Sequence, residues 1–494
     1  MTIQYVKKWT VPLRSLADPK DKACTRKATL LWGDPVHLPE GWVPGSAGPV
    51  KVRARARSGW VDGSDLCDQG LLEIYVIDVG QGDSILIRTS DDRWHLIDGG
   101  ASYRKQMTRK SVVDFLEWKF IKDLQAGAAT LENVILSHPD DDHFGGLVDV
   151  FKGETNDETF PITIKNFYHN GLGRFDKAPE MGARVSAQVQ AFPQGEHGLP
   201  TAGEFVTELL DGKNTFQENP ARPFNTKGFG EFAALVIQIP QNVSRLSDRN
   251  GFLPGYGAGQ NATTIRVLGP VLEDLGGGQL GLRYLQRQDS LTCNGHSVTL
   301  LLEYGDARIL LAGDLNTDSQ ELLLSYHAAN TFSVDVSKAC HHGAEDVKIE
   351  FLQAMQARAT VISSGDNEDF SHPRPALMGA VARYGRCAKD SKSKEILPPL
   401  IYSTELARSL KMAFPTALQL KEAGNTKKKV MLSTAEIKLK EDAYYRPLTK
   451  IPCSSKLVYG LVNIRTDGKH ILCATMEEKG NNFDYKVFRA GVDV

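Results

Sequence analysis

Short apolar runs, each ending in a polar or glycine-rich turn, recur along most of this chain and predict strands that deliver polar side chains at their ends. Leu72 to Ile77 and Ile85 to Ile87 flank Asp78-Val79-Gly80-Gln81-Gly82-Asp83-Ser84 and predict a hairpin. Trp94 to Ile97 runs into Asp98-Gly99-Gly100, and Val112, Phe115, Leu116 and Phe120 then recur at helical spacing. Asn133 to Leu136 leads into Ser137-His138-Pro139-Asp140-Asp141-Asp142-His143-Phe144-Gly145-Gly146. Later runs end at Asp314, just before Cys340-His341-His342-Gly343, and ahead of Ser371-His372-Pro373. Strands that repeatedly feed loops or helices predict a layered α/β arrangement, with ligands gathered past the carboxyl ends of the strands.

The two ends of the chain have a different pattern. Ala28 to Leu38 reads as two strand halves split by Gly33-Asp34-Pro35, and Val52 to Arg57 alternates, which predicts Arg53, Arg55 and Arg57 on one strand face. That basic strand followed by Gly59-Trp60-Val61 resembles bacterial SH3-like barrels, so residues 1–68 are expected to form a small SH3-like β domain. Residues 69–394 form the expected central domain, within which 150–290 turn Gly-, Pro- and Asn-rich and predict short elements and loops over a site. From 395 to 494 the chain is lysine-rich with strand-like pieces, and a separate β-rich α/β accessory module is expected. A length of 494 residues exceeds one hydrophobic core and agrees with three domains.

Composition narrows the functional classes. A hydrophobic content of 41% and a charged content of 24% describe an ordinary globular protein, and a net charge of −2 removes global basicity as an argument for nucleic-acid binding. A local patch would have to supply that attraction. Arg383, Arg386 and Lys389, shortly after His372, are the candidates for binding phosphate. Seven scattered cysteines without C-x-x-C predict no disulfide framework. With no signal-peptide core and no apolar run of about 18 residues, a cytoplasmic protein that does not enter the membrane is expected.

The segment from His138 to His143 places two imidazoles and three carboxylates in six positions. Carboxylates this dense need a cation or full solvation, and mixed nitrogen and oxygen donors suit divalent metals such as Zn²⁺ or Mn²⁺. Gly145-Gly146 is expected to permit a tight turn into a helix. Asp78 and Asp83 read equally well as turn caps or as neighbours of a site.

Taken in order, Asp-Val-Gly-Gln-Gly-Asp, Ile-Asp-Gly-Gly, Ser-His-Pro-Asp-Asp-Asp-His-Phe-Gly-Gly, Leu-Leu-Ala-Gly-Asp, His-His-Gly and Ser-His-Pro resemble the metallo-β-lactamase superfamily over roughly residues 70 to 385. The branch they resemble is the hydrolase domain of bacterial competence (DNA-uptake channel) proteins. The resemblance implies an αββα sandwich with two divalent ions along one sheet edge. His138 and Asp140 would hold one ion, Asp142 and His143 the second, and Asp314 would bridge them. One of His341 and His342 would join the first ion and His372 the second, with Asp98 orienting the ligands and Asp78 nearby. Asp140 replaces the second His of the common H-x-H-x-D-H motif, making the site harder and more anionic, with Zn²⁺ expected first and Mn²⁺ as the alternative. The superfamily's mid-chain ligand position falls near Cys293 to Ser297.

The function implied is phosphodiester hydrolysis through a metal-bridging hydroxide, with Asp142, Asp140 and His143 as the catalytic group and DNA as substrate. The terminal domains would position substrate or a protein partner. Two alternatives remain: a phosphodiesterase for small molecules or lipid headgroups, such as cyclic nucleotides or choline phosphate, and a scaffold or sensor with a structural metal site. β-Lactam hydrolysis is disfavoured, because the first-metal set is not all imidazole.

Overall fold

Two β-sheets packed face to face form the centre of the molecule, which a computed structural model describes over residues 2–105, 111–154, 159–195, 198–225, 228–365, 371–405, 460–476 and 482–491, with the backbone of further strands between 409 and 458. The first sheet runs Asn242–Arg245, Ile162–His169, Ala129–Leu136, Trp94–Ile97, Ile85–Arg88, Leu72–Ile77, Leu461–Thr466, His470–Met476, Phe483–Arg489. The second runs Thr263–Gly269, Thr299–Tyr304, Ala307–Leu311, Val336–Lys338, Ala359–Ile362, Leu400–Ser403. Alternate residues of both sheets meet in one core: Leu72, Ile74 and Val76 from the first, Leu300, Leu302 and Ile309 from the second. Each such side chain contributes about 1.5–3 kcal/mol by leaving water.

Helices cover both outer faces. Leu301 and Leu310 turn away from the shared core and pack with Leu322 and Leu323 of helix Thr317–Tyr326, Phe351 of Ile349–Met355, and Leu377 and Val381 of Pro375–Tyr384. On the other side Phe151, from helix Asp141–Lys152, meets Phe167 edge-on at 5.6 Å and stacks on Phe232 of helix Phe229–Gln238. These layers give the expected αββα sandwich.

The Gly99-Gly100 and Gly145-Gly146 pairs hold the first sheet against the helix that begins at Asp141. Gly99 N–H donates to His143 O at 2.9 Å, and Gly146 N–H donates to Gly100 O at 2.7 Å. A Cβ on Gly146 would stand 1.9 Å from Gly99 O, and one on Gly99 would stand 2.4 Å from Leu147 N. Gly145-Gly146 therefore lies inside the helix, and its purpose is close approach of two backbones rather than the turn expected.

Residues 3–67 form a seven-stranded antiparallel sheet with its own core of Val6, Val11, Leu13, Leu30, Val36 and Val52. The expected three-arginine face is absent from it. The strand Pro49–Ala54 ends before Arg55, residues 55 and 56 turn with φ of 49° and 58°, and the next strand begins at Arg57. Arg55 is turned inward to Asp34, because a buried carboxylate there needs a cation. Arg465 of the first sheet also donates to Asp34 Oδ1 at 2.8 Å, tying the N-terminal sheet to the central sandwich.

The region expected to hold loops contains a four-stranded sheet of Arg184–Gln188, Ala202–Val206, Leu280–Arg283 and Glu273–Asp274. The boundary expected at 395 is corrected by the strand pairing. Leu461–Thr466 pairs antiparallel with Leu72–Ile77, so 460–494 belong to one compact unit with 1–407, whereas 408–459 form a second unit of hairpins. Apolar alternation in Leu461 to Ile464 marked a strand, but not which sheet it would extend. The side chains of Lys427, Lys428 and Lys429 lie outside the described residues, as does His197.

Two substitutions test this packing by urea unfolding. Gly146→Ala is expected to cost about 2–3 kcal/mol, because neither backbone can withdraw. Arg465→Met, which leaves Asp34 buried without one of its two cations, is expected to cost about 3–5 kcal/mol.

Candidate metal centre

Three buried imidazoles, each committed at Nδ1, turn their Nε2 atoms toward one place. Ser137, just past the strand Ala129–Leu136, donates its backbone N–H to Asp98 Oδ1 at 2.7 Å and its hydroxyl to Asp98 Oδ2 at 2.6 Å. The Ser297 hydroxyl donates to Asn294 O at 2.8 Å. Both hydroxyl protons are thus spent, so the Nδ1–H of His138 must donate to these oxygens, at 3.0 Å and 3.2 Å. His143 Nδ1 donates to Asp98 Oδ2 at 2.8 Å, and His342 Nδ1 donates to Ser363 O at 3.1 Å. A partner at Nδ1 fixes the tautomer and aims Nε2, the arrangement that surrounds metal-ligating histidines.

The carboxylates meet these nitrogens. Asp314 Oδ2 lies 2.8 Å from His342 Nε2 and 3.2 Å from His143 Nε2, and those two nitrogens are 3.3 Å apart. Asp142 lies 3.6 Å from His342 Nε2 and 3.8 Å from His143 Nε2. Lys338, fully buried, gives its ammonium to Asp83, to Asp314 Oδ1 at 3.2 Å and to Gly313 O at 2.9 Å. Asp314 thereby keeps one oxygen for the ammonium and one for the imidazoles.

Burial should depress the histidines, and at His138 it does: burial and the neighbouring His143 push its pKa down to about 3, so it is neutral. At His143 and His342 burial loses. Asp314, Asp98 and Asp142 hold His143 well above its usual range, and Asp314 and Asp83 hold His342 up at about 10. Without a metal, protons on these rings compensate the acids. His138 Nε2, by contrast, is buried without a hydrogen-bond partner. A bare nitrogen beside an acid cluster that draws in protons is what a divalent cation fits, and His138, His143 and Asp314, and Asp142, His143 and His342, offer ligand atoms within 4.8 Å of one another.

The structure brings His138, Asp142, His143, Asp314 and His342 together, with Asp98 behind them. Of the pair left open, His342 enters the cluster, while His341 Nδ1 bonds Asp346 at 3.0 Å. The other expected residues have partners of their own or lie further off. Asp140 Oδ2 is 3.7 Å from His138 Nε2, but its other oxygen pairs with Arg174 and accepts from the Cys293 thiol at 3.2 Å. With its amide oriented to donate, Asn294 also bonds Asp140, at 2.8 Å. His372 flanks the group, its ring 5.7 Å from His341 and 6.4 Å from His342. Asp78 accepts from the backbone N–H groups of Gly80 in its own loop and of Gly460, just ahead of the strand Leu461–Thr466. Arg386 donates to the carbonyls of Gln356 and Val334, Arg383 lies in the last turn of helix Pro375–Tyr384, and Lys389 lies in the short strand Ala388–Lys389, so none of the three joins the cluster. His296 bonds Arg283 O at 2.7 Å and also faces away.

Lys338, Arg174, Ser137 and Ser297 were missed. Lys338 had a legible signal: a charge inside an apolar strand, three residues before His341. Arg174 had none, because its partner is 34 positions away.

Residues 77–220 match the family model of the metallo-β-lactamase superfamily. It is 28% identical over 327 residues to ComE operon protein 3 of Bacillus subtilis (strain 168), a match covering 63% of this chain and 31% of that protein. It is 33% identical over 93 residues to competence protein ComA of Neisseria gonorrhoeae, covering 19% and 13% respectively. The chain thus spans less than a third of the length of either curated relative. A solved metal-dependent hydrolase of the β-lactamase superfamily aligns with 68% of this chain and 96% of its own at 13% identity, with a TM-score of 0.32. Among the described residues no helix is long and apolar enough to cross a membrane.

The raised His342 has a definite sign. Its contribution to the stability of the metal-free protein is complete below its ordinary pKa of 6.5 and is lost as pH rises through about 10. A cation must displace that proton, so Zn²⁺ affinity is expected to rise between about pH 6 and 9 with proton release, read by calorimetry in buffers of different ionisation enthalpy. Asp98→Ala frees the His143 and Ser137 donors and is expected to weaken Zn²⁺ binding roughly 10–100-fold while the circular dichroism spectrum is retained.

Proposed function

We propose that this protein is a metal-dependent phosphodiester hydrolase acting on DNA, with His138, Asp142, His143, Asp314 and His342 holding two divalent ions, Zn²⁺ first and Mn²⁺ as the alternative. The observation that carries this reading is the convergence of three tautomer-fixed Nε2 atoms on the Asp314 and Asp142 carboxylates. Ions held there would polarise a phosphoryl oxygen and acidify a bound water. Asp98 and Ser137 keep the His138 and His143 rings aimed, and Ser363 O does so for His342. Of the two acids in the expected catalytic group, Asp142 is the one that faces the imidazoles. His143 and His342 outweigh burial and keep its pKa below the usual range, so it is ionised at neutral pH, whereas Asp140 is engaged by Arg174.

DNA is favoured as substrate by the similarity to proteins named for competence. The cytoplasm is proposed as the compartment, because Cys24, Cys67, Cys293, Cys340, Cys387 and Cys473 are all free thiols. His372 and Asp140 complete the proposed site at its rim.

Purified protein loaded with Zn²⁺ or Mn²⁺ is expected to cleave single- or double-stranded DNA, and Asp314→Asn is expected to lower the rate roughly 10²–10³-fold or more. Cleavage of cyclic nucleotides in place of DNA would make the substrate small. No cleavage of any phosphodiester would remove the proposal.

A further inference from the structure

Among the described residues, Arg174, Lys105, Lys338 and Arg374 are cationic residues near the proposed metal donors, and three have their charge taken. Arg174 pairs with Asp140, Lys105 with Asp141 at 2.6 Å, and Lys338 with Asp83 and Asp314. The fourth is Arg374. It is partly buried, and among the described residues its guanidinium has neither a hydrogen bond nor an ion pair. Its place is set by the backbone: its N–H donates to Gly343 O at 2.8 Å, beside His342, and it caps helix Pro375–Tyr384, two residues after His372. Its charge acts on His372, whose own ring lies 5.7 Å from His341 and 6.4 Å from His342.

A guanidinium held partly out of water without an acid forgoes a charge-assisted pair, and such a group is matched in shape and charge to a phosphate oxygen pair. The helix separates it from the expected phosphate binders. Arg383 lies nine residues further along the same helix, about 13 Å at 1.5 Å per residue, and Arg386 already serves two carbonyls. Asp140 and Asp141 open the helix that delivers Asp142 and His143, and the cations beside them, Arg174 and Lys105, are already paired, so no free positive charge is offered to an anion there.

We infer that Arg374 is a substrate-binding residue of the metal site, taking a non-bridging phosphate oxygen of the phosphodiester on the His341 and His372 side. This rests on the phosphodiesterase reading. Arg374 donates two parallel N–H groups to the phosphate, orients it over the donor cluster, and takes no part in proton transfer.

Two measurements on the full chain test it, with Arg374→Ala, Arg374→Lys and the control Arg383→Ala. The first is anisotropy of a fluorescein-labelled single-stranded phosphorothioate DNA with Zn²⁺-loaded protein. The second is hydrolysis of bis(4-nitrophenyl) phosphate, with KM and kcat separated. Arg374→Ala is expected to raise the DNA dissociation constant and KM roughly 10–100-fold. Arg374→Lys should recover part of this, Arg383→Ala should change neither, and Zn²⁺ content should be equal in all. Wild-type binding and hydrolysis with Arg374→Ala indistinguishable from it would overturn the inference and leave the phosphodiesterase reading intact. Loss of kcat alone, or loss of Zn²⁺, would also overturn it by making Arg374 a structural or ligand-positioning group. A wild type that neither binds nor hydrolyses either probe would overturn the phosphodiesterase reading and this inference with it.

Discussion

Asp314 is buried at the end of a strand, within reach of three other acids, and the fold has to balance that charge. Asp83, Asp98 and Asp142 are all drawn toward the same imidazoles, and among the described residues Lys338 is the one permanently charged group that bonds members of this set. Removing a carboxylate from water costs several kcal/mol unless it is paired. The excess falls on His143 and His342, which can carry protons or exchange them for a cation, while His138 stays neutral with its Nε2 bare.

That balance survives only if the strand ends are held in register. The diglycines bring helix Asp141–Lys152 into backbone contact with Gly99 and Gly100, placing His143 over Asp98. Gly82 does the same from the first hairpin: a Cβ there would lie 2.0 Å from Asp142 O, and Gly82 O accepts the Ser363 hydroxyl at 2.9 Å. Ser297 links the two sheets at the site by contacting His138 Nδ1 and accepting the Asp314 backbone N–H at 3.0 Å. Far from the site, Arg465 binds the N-terminal sheet to the sandwich through Asp34, which also pairs with Arg55 of its own sheet. The same rule, a buried acid fixed by a cation from another segment, thus operates at both places.

Local pattern carried the reading as far as local pattern acts. Apolar runs ending in His or Asp located the strands and most donors, because a strand followed by a polar residue is written within a few positions. Arg53, Arg55 and Arg57 mislead because alternation cannot distinguish a continuous strand from a tight hairpin; the demand of Asp34, about twenty residues away, decides it. The chain after 460 was misassigned because composition says nothing about pairing partners, and Leu461–Thr466 completes a sheet begun at Leu72. Asp140 fitted the motif by spacing, yet its nearest cation, Arg174, comes from the inserted region. Arg383 and Arg386 were favoured by charge density, which ignores that Arg386 is spent on carbonyls and that a helix carries Arg383 away from the donors.

The account is tested most directly by anomalous diffraction from crystals of the full chain grown with Zn²⁺. The expected result is a pair of peaks in the space bounded by His138 Nε2, His143 Nε2, His342 Nε2 and the Asp314 and Asp142 carboxylates. A map without a peak there, or with Zn²⁺ bound only by residues outside this group, would contradict it.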